Sequence, residues 1–306
     1  MNNNWRKLGR IFDPTAHPRS SKLITHASNP VPIRQAGNIY RILYSGRDSE
    51  NRSSVGEVEL DIFSGEIIRL NPDPIFEHGP QGSFFADGVS LGNLYEVNSK
   101  RYIPFMGWQN PANSHWRGDI GRLRLHEDGS LSLDSAQPFL AADSTDPISL
   151  SYPWVLPRKV GGYEMWYGST LAWDTGNGEM LHVIHHASSL DGNCWQRHGL
   201  AIPCGLGIAQ AFSRPTVVPS PQTGFEMWYS YRSGKGTPYR IGYASSEDGN
   251  KWDSRPDKSG IDVSPAGWDS EMIEYPFVFD HDGDRFLLYN GNGFGKTGFG
   301  LAILEK

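Results

Sequence analysis

The sequence predicts an all-β fold, a five-bladed β-propeller, from an internal repeat, a turn-rich composition and a first segment that matches a later strand. The repeat is clearest in two aromatic segments, Tyr-Glu-Met-Trp-Tyr-Gly at 163–168 and Phe-Glu-Met-Trp-Tyr-Ser at 225–230. Five copies, spaced by 61, 62, 62 and 60 residues, align on Tyr44, Phe105, Tyr167, Tyr229 and Tyr289. Five such units account for all 306 residues, so we expect a single domain over residues 1–306.

Each unit is predicted to contain four antiparallel strands, because short apolar runs alternate with Gly- and Pro-rich turns. The first strand of a unit begins near Pro30, Gly88, Pro153, Pro215 or Pro276. The second strand is the aromatic segment, and a third is predicted at 183–188 and 241–245. Asp-Gly-Asn at 191–193 and 248–250 supplies the positive φ of a hairpin turn before the fourth strand. These turns resemble the Asp-box turns of sialidases, and we interpret them as structural.

The two ends of the chain predict how the ring closes. Residues 5–12, Trp-Arg-Lys-Leu-Gly-Arg-Ile-Phe, resemble the fourth-strand segment 195–202, Trp-Gln-Arg-His-Gly-Leu-Ala-Ile. The chain ends with a third-strand pattern at 300–304. We therefore expect the N-terminal strand to pair in the last blade, which leaves only short sheet edges.

Composition excludes several classes of function. The chain has 28 Lys and Arg against 34 Asp and Glu, a net charge of −6, so no nucleic-acid partner is expected. No apolar run approaches the roughly 20 residues of a membrane span. The first residues lack the apolar core of a signal peptide, which predicts a cytoplasmic protein. Its two cysteines predict no disulfide framework, and no zinc-type spacing is present, so no cofactor or metal is expected. The sequence leaves the oligomeric state open.

Propeller geometry selects the candidate site. In each blade the first strand lines the channel and the second returns antiparallel, so the start of one and the end of the other share a mouth. First strands contribute His26, Asn29, Asp87, Tyr152, Arg214, Glu271 and Glu274. Second strands contribute Arg47, Asp48, Trp108, Gln109, Arg232 and Asn292. This mixture of carboxylates, guanidinium groups, amides and aromatic rings is typical of a carbohydrate site.

Asp87 and Glu274 are the expected catalytic pair. Cleavage of a glycoside needs one carboxyl group to protonate the leaving oxygen and another to activate water or to attack directly. The alternative is that both carboxylates cap strands or bind backbone amides. Glu271, three residues before Glu274, is expected nearer the rim.

Three arginines form a second signal. Arg47, Arg214 and Arg232 at one mouth favour an anionic ligand, because guanidinium groups pair bidentately with carboxylate or phosphate. Neutralisation of neighbouring carboxylates is the open alternative. His182, on a third strand, is expected away from the channel.

Residues 274–289, Glu-Tyr-Pro-Phe-Val-Phe-Asp-His-Asp-Gly-Asp-Arg-Phe-Leu-Leu-Tyr, resemble the five-bladed glycosidases of glycoside hydrolase family 43 and its relatives. In that family a Glu-x-Pro segment carries the general acid, and Glu274 matches it, although here it falls in the last blade. The resemblance implies that Asp87 orients the acid and tunes its pKa. The family's base position falls on Asn29, which cannot deprotonate water, so hydrolysis would require Asp48 or Glu271 instead.

Three hypotheses follow. The first is a glycoside hydrolase acting on an acidic or phosphorylated sugar, with Glu274 as acid and Asp87 as partner or base. The second is a cytoplasmic enzyme of polysaccharide or nucleotide-sugar metabolism on the same scaffold. The third is a carbohydrate-binding protein without catalysis.

Overall fold

The computed structural model describes residues 3–234 and 236–305, and this part of the chain is built almost wholly from strands. The strands are β1 (Trp5–Phe12), β2 (Thr25–Ala36), β3 (Ile39–Arg47), β4 (Ser53–Asp61), β5 (Ile67–Leu70), β6 (Gly88–Leu91), β7 (Tyr95–Val97), β8 (Lys100–Gln109), β9 (Arg117–Leu125), β10 (Leu131–Leu133), β11 (Ser149–Pro157), β12 (Tyr163–Ala172), β13 (Leu181–Ser189), β14 (Gln196–Leu200), β15 (Ala211–Ser220), β16 (Gly224–Arg232), β17 (Arg240–Ser246), β18 (Asp253–Ser254), β19 (Glu274–His281), β20 (Asp284–Asn290) and β21 (Phe299–Leu304). The described helical segments are a 3-10 turn, Pro256–Lys258, and one helical turn, Asn292–Gly295.

The strands form three sheets. One has the order β1-β21-β20-β19, so the first strand pairs with the last, with Trp5 opposite Leu304. A second has the order β10-β9-β8-β6-β4-β3-β2, and a third the order β11-β12-β13-β15-β16-β17-β18. The expected all-β class is confirmed.

The sheets are mixed, which corrects the expectation of purely antiparallel pairing. β4 and β6 run parallel through Ser53 and Gly88, and β13 and β15 run parallel through His182 and Ala211. Each contact joins the third strand of one repeat to the first strand of the next. Each of these parallel contacts consists of a single residue pair.

The aromatic strands supply the core. Trp166, Trp228, Tyr44, Tyr167 and Tyr229 are among the largest fully buried side chains. Burial of such rings is the main favourable term in folding, because each removes a large apolar area from water. Trp166, for example, packs against Phe225 and Trp252 of the next repeat, so the sequence repeat includes residues that pack between neighbouring repeats.

The first strands share a backbone irregularity that positions the site. The residue before each proline has positive φ, between 40° and 55°, at Asn29, Tyr152, Arg214 and Tyr275. The strand pairing shifts register at the same places, as in a β-bulge. A left-handed residue with a side chain costs roughly 1–2 kcal/mol, so four equivalent cases indicate a feature that surrounding contacts maintain.

One residue earlier, five repeat-equivalent positions hold Ser28, Ser90, Ser151, Ser213 and Glu274. All five are buried. Glu274 thus occupies a place where the other four repeats have serine.

No helix in the described ranges is long and apolar enough to cross a membrane.

Candidate functional site

A cavity of about 330 Å³ lies where strand ends from all parts of the chain meet. Among the described residues, its lining is largely aromatic and includes two guanidinium groups and no carboxylate. The lining residues are Arg47, Asn51, Ser90, Met106, Trp108, Asn110, Trp116, Tyr152, Met180, His182, Phe212, Ser213, Arg232, Tyr239, Tyr275 and Phe294. Of the expected site residues, Arg47, Trp108, Tyr152 and Arg232 are in this wall.

Glu274 lies behind this wall, at the start of β19, and its side chain is wholly buried. Neither of its carboxyl oxygens accepts a hydrogen bond from a described residue. Burial raises the pKa of this carboxyl well above its usual range, against the opposing charges of Arg47 and Arg232. This shift favours the protonated carboxyl, the form that can give up a proton.

The two guanidinium groups of the wall differ in their partners. Arg232 forms an ion pair with the buried carboxylate of Glu179, with Nε 2.8 Å from Oε2, and lies over the ring of Tyr239. Arg47 donates from Nη1 to the amide oxygen of Asn51 at 2.7 Å. Arg47 has no ion pair with a carboxylate of the described residues, so its charge is available to a ligand.

Arg214 is fully buried and does not line the cavity. Its guanidinium donates to the backbone oxygen of Pro30 at 2.9 Å and that of Tyr275 at 3.3 Å, and it lies over the ring of Phe277. Burial lowers its pKa to about 9. Arg214 thus bridges three first strands and supports the cavity from beneath.

Tyr152 and Tyr275 meet in the cavity wall, and Tyr275 follows Glu274 in the chain. Their hydroxyl groups are 3.1 Å apart, and both side chains line the wall. Burial raises the pKa of Tyr275 well above its usual range. Both residues stand at the left-handed positions before proline, so the bulges aim these two rings at each other.

His182 was expected away from the channel, yet it lines the cavity from β13. Its Nε2 is 2.6 Å from Ser151 Oγ and its Nδ1 is 2.7 Å from Thr170 Oγ1. Burial lowers its pKa to about 3, so the imidazole is neutral. The parallel contact with Ala211 brings this strand end beside the next first strand, an effect that strand periodicity does not contain.

Two expected carboxylates have other partners. Asp48 forms an ion pair with Arg52 at 2.8 Å and accepts the backbone N–H groups of Glu50 and Arg52. Although burial acts in the opposite direction, the Arg52 hydrogen bonds lower the pKa of Asp48. Asp87, half-buried, accepts the backbone N–H of Asn110 at 2.6 Å. Asn110 lines the cavity, so Asp87 lies one residue behind the wall.

Three other expected residues fasten loops. Gln109 donates to the backbone oxygen of Ser83 at 2.8 Å. Asn292 accepts the backbone N–H of Glu271 at 2.8 Å, and Glu271 is exposed. None of these three residues lines the cavity.

His26 and Asn29 lie on β2, outside the cavity lining. His26 contacts Thr25 Oγ1 at 2.8 Å, and burial lowers its pKa to about 3. Asn29 donates its backbone N–H to Asn290 at 2.9 Å, while its side-chain oxygen is buried without a partner among the described residues. Asn29 therefore offers an acceptor but no base.

No group of three or more His, Cys, Asp or Glu side chains converges on a metal-binding geometry within residues 3–234 and 236–305. The arrangement combines the buried carboxyl of Glu274, whose pKa is raised, with aromatic rings and the guanidinium of Arg47, which has no ion pair among the described residues. Such groups can hold a sugar, neutralise an anion and protonate an oxygen.

The chain is similar along its whole length to two proteins of Mycobacterium tuberculosis, Uncharacterized protein Rv1502 of strain H37Rv and Uncharacterized protein MT1551 of strain CDC 1551. Each is 44% identical over 304 residues, which cover 99% of this chain and 99% of the relative. The chain belongs to the family of these mycobacterial proteins. No protein-family model matches it.

Solved structures share its fold. One, described as a glycoside hydrolase, has a TM-score of 0.75 at 14% identity and covers 100% of this chain and 92% of its own. Another comes from work on the GH130 family of mannoside phosphorylases, containing glycoside hydrolases that target β-1,2 mannosidic linkages in Candida mannan. It has a TM-score of 0.71 at 11% identity and covers 99% of this chain and 94% of its own. At these identities the likeness shows the fold.

Proposed function

We propose that this protein is a glycoside-processing enzyme built as one five-bladed β-propeller domain, closed by β1 pairing with β21, with its site at the mouth of the channel. The observation that carries the proposal is Glu274, a wholly buried carboxyl without hydrogen-bond donors beside an aromatic cavity. A carboxyl with a raised pKa holds its proton to higher pH, and a departing glycosidic oxygen requires such a proton donor. The shared fold with glycoside hydrolases supports the same reaction class.

In this proposal Glu274 is the general acid. The bond between the anomeric carbon and the glycosidic oxygen breaks, and that oxygen takes the proton of Glu274. Trp108 and Tyr239 provide ring faces for a sugar, while Arg47 and Arg232 bind its hydroxyl, carboxylate or phosphate groups. The proposed ligand is therefore a carbohydrate or a sugar phosphate.

The nucleophile distinguishes two candidate reactions. In hydrolysis, a base must take a proton from water, and we propose Asp87, which contacts the cavity wall through Asn110. In phosphorolysis, phosphate attacks directly and needs no base. Two features of the described residues favour this second candidate: the cavity wall contains no carboxylate, and the guanidinium of Arg47 has no ion pair. A related fold from the mannoside phosphorylase family supports it.

The test is a panel of chromogenic glycosides and oligosaccharides, including β-1,2-linked mannosides, assayed with and without phosphate. Wild type is compared with Glu274→Gln and with Glu77→Gln, an exposed carboxylate paired with Lys22. We expect Glu274→Gln to reduce turnover at least 100-fold, the usual contribution of a general acid, and Glu77→Gln to have no effect. Formation of a sugar 1-phosphate only with phosphate would select phosphorolysis.

Equal turnover by wild type and Glu274→Gln would overturn the role of Glu274. Thermal stabilisation by a sugar without turnover would instead favour a carbohydrate-binding protein or another reaction of polysaccharide or nucleotide-sugar metabolism. The cytoplasmic location stays a prediction of the sequence.

A further inference from the structure

An aromatic surface continues outward from the cavity along two loops. Trp116 lines the cavity, and its indole meets that of Trp173 edge to face, with ring centroids 5.0 Å apart. His115 stacks on Trp173 at 4.5 Å, with the ring planes 17° apart. His115 is exposed and both tryptophans are half-exposed, so the outer platform, His115, Trp116 and Trp173, lies open to solvent.

Trp116, the residue of the outer platform that lines the cavity, is held in place by neighbouring cavity residues. Trp116 also packs edge to face against His182, at 5.8 Å. His182 in turn is held by hydrogen bonds to Ser151 and Thr170. The platform is therefore a continuation of the cavity wall.

The loop that carries Trp173 is internally braced. Asp174 Oδ1 accepts the backbone N–H groups of Gly176 at 2.7 Å and Gly178 at 3.0 Å. At its far end Glu179 pairs with Arg232, a cavity residue. Because the loop is fixed on both sides, the indole is presented without a large ordering cost on binding.

We propose that the outer platform is a second sugar-binding subsite, so that the substrate is an oligosaccharide with at least one unit outside the cavity. This inference rests on the proposed function. Exposed aromatic side chains that adjoin a cavity mark binding surfaces, because covering them with the apolar face of a ligand removes apolar area from water. The C–H face of a pyranose packs well against a flat aromatic ring. Because the outer platform is open to solvent, the hydroxyl groups of a sugar bound there can stay in contact with water. Because Trp116 joins the outer platform to the cavity, the expected occupant is a further sugar unit of the oligosaccharide bound in the cavity.

The experiment measures binding as a function of chain length, which does not depend on turnover. Each oligosaccharide series of the panel, from monosaccharide to hexasaccharide, is titrated by calorimetry into wild type, Trp173→Ala, Trp173→Phe and Trp195→Ala. Trp195 is the matched control, a half-buried indole that packs against Phe139 and does not line the cavity. We expect Trp173→Ala to weaken binding of the longer chains about tenfold and to leave monosaccharide binding unchanged. Trp173→Phe should retain most of the affinity, and Trp195→Ala all of it.

Equal affinity of Trp173→Ala and wild type at every length would overturn the subsite. So would an equal loss at every length, monosaccharide included, or a wild type that binds no oligosaccharide more tightly than its monosaccharide. The Glu274→Gln protein separates this result from the reaction. A length-dependent affinity that survives in Glu274→Gln supports the subsite even if no glycoside is turned over, whereas turnover without length dependence supports only the enzyme.

Discussion

Asp146 and Glu274 are both fully buried, but their surroundings differ completely. Asp146 accepts hydrogen bonds from Tyr167 at 2.8 Å, His185 at 2.7 Å and Arg197 at 2.5 Å. Against the effect of burial, the hydrogen bonds of His185 and Tyr167 lower the pKa of Asp146 to about 2. Glu274 has no hydrogen-bond donor among the described residues, and burial raises its pKa.

Equal burial thus accompanies pKa shifts of opposite sign. The carboxylate of Asp146 contributes to stability because its charge is paired, whereas burial without donors favours the protonated form of Glu274. A buried acid without donors contributes little to folding, which favours a role in function.

The largest expected effect is the loss of the paired charge in Asp146→Asn. We expect a decrease of about 3–5 kcal/mol in the free energy of unfolding, because Arg197 keeps its charge in a buried place. Urea denaturation at pH 7 measures it. Asp143→Asn is the control, since Asp143 contacts the same guanidinium at 3.0 Å but is 45% exposed, and it should cost less than about 1 kcal/mol. Similar losses in both variants would contradict the comparison.

The paired carboxylate of Asp146 also predicts how the free energy of unfolding depends on pH in acid. The folded pKa of Asp146 lies below its unfolded value near 3.8, so its stabilisation is complete above that value and is lost as the pH falls towards about 2. Over this window we expect a loss of about 2 kcal/mol. Urea titrations of wild type between pH 4.5 and 2, compared with Asp146→Asn, measure it. An unchanged slope in the variant would assign the loss to other groups.

For Glu274 we expect the opposite change of the free energy of unfolding with pH. Its folded pKa lies above its unfolded value, so its contribution is fully present below pH 4.5 and is lost as the pH rises through the folded value. The free energy of unfolding of the wild type should therefore decrease as the pH rises from 5 to 9. Glu274→Gln should abolish this decrease and be at least as stable at pH 9. A steeper decrease in the variant would show that Glu274 is ionised and paired.

The smallest expected effect is a change in the pH profile of kcat/KM when the charge of Arg47 is removed from beside Glu274. The positive charge of Arg47 lowers the pKa of Glu274, so Arg47→Gln should move the alkaline limb of kcat/KM to higher pH, by about one unit or less. Arg101→Gln is the control, because Arg101 is a half-buried arginine that donates to the backbone oxygen of His126 and does not line the cavity. A shift to lower pH would exclude Glu274 as the group that titrates in this limb.

Much of the strand pattern could be read from the sequence. The Asp-Gly-Asn turns are built locally, with Asp191 Oδ1 accepting the backbone N–H groups of Asn193 and Cys194, and Asp248 doing the same in the next copy. The carboxylates were harder to place. Asp48 lies in a loop that uses it to bind its own backbone, and the loop from 48 to 52 has no repeat that could reveal this.

By itself the sequence determined which segments form strands and that a strand begins near Glu274, because alternation, turns and the 60-residue repeat are local properties of the chain. Only the tertiary structure decided which side chains share the cavity. The parallel contact at His182, the four left-handed residues before proline and the partners of Asp48 depend on contacts between distant repeats. A side chain's protonation state follows from the donors around it, and these donors come together only when the strands from separate repeats are packed.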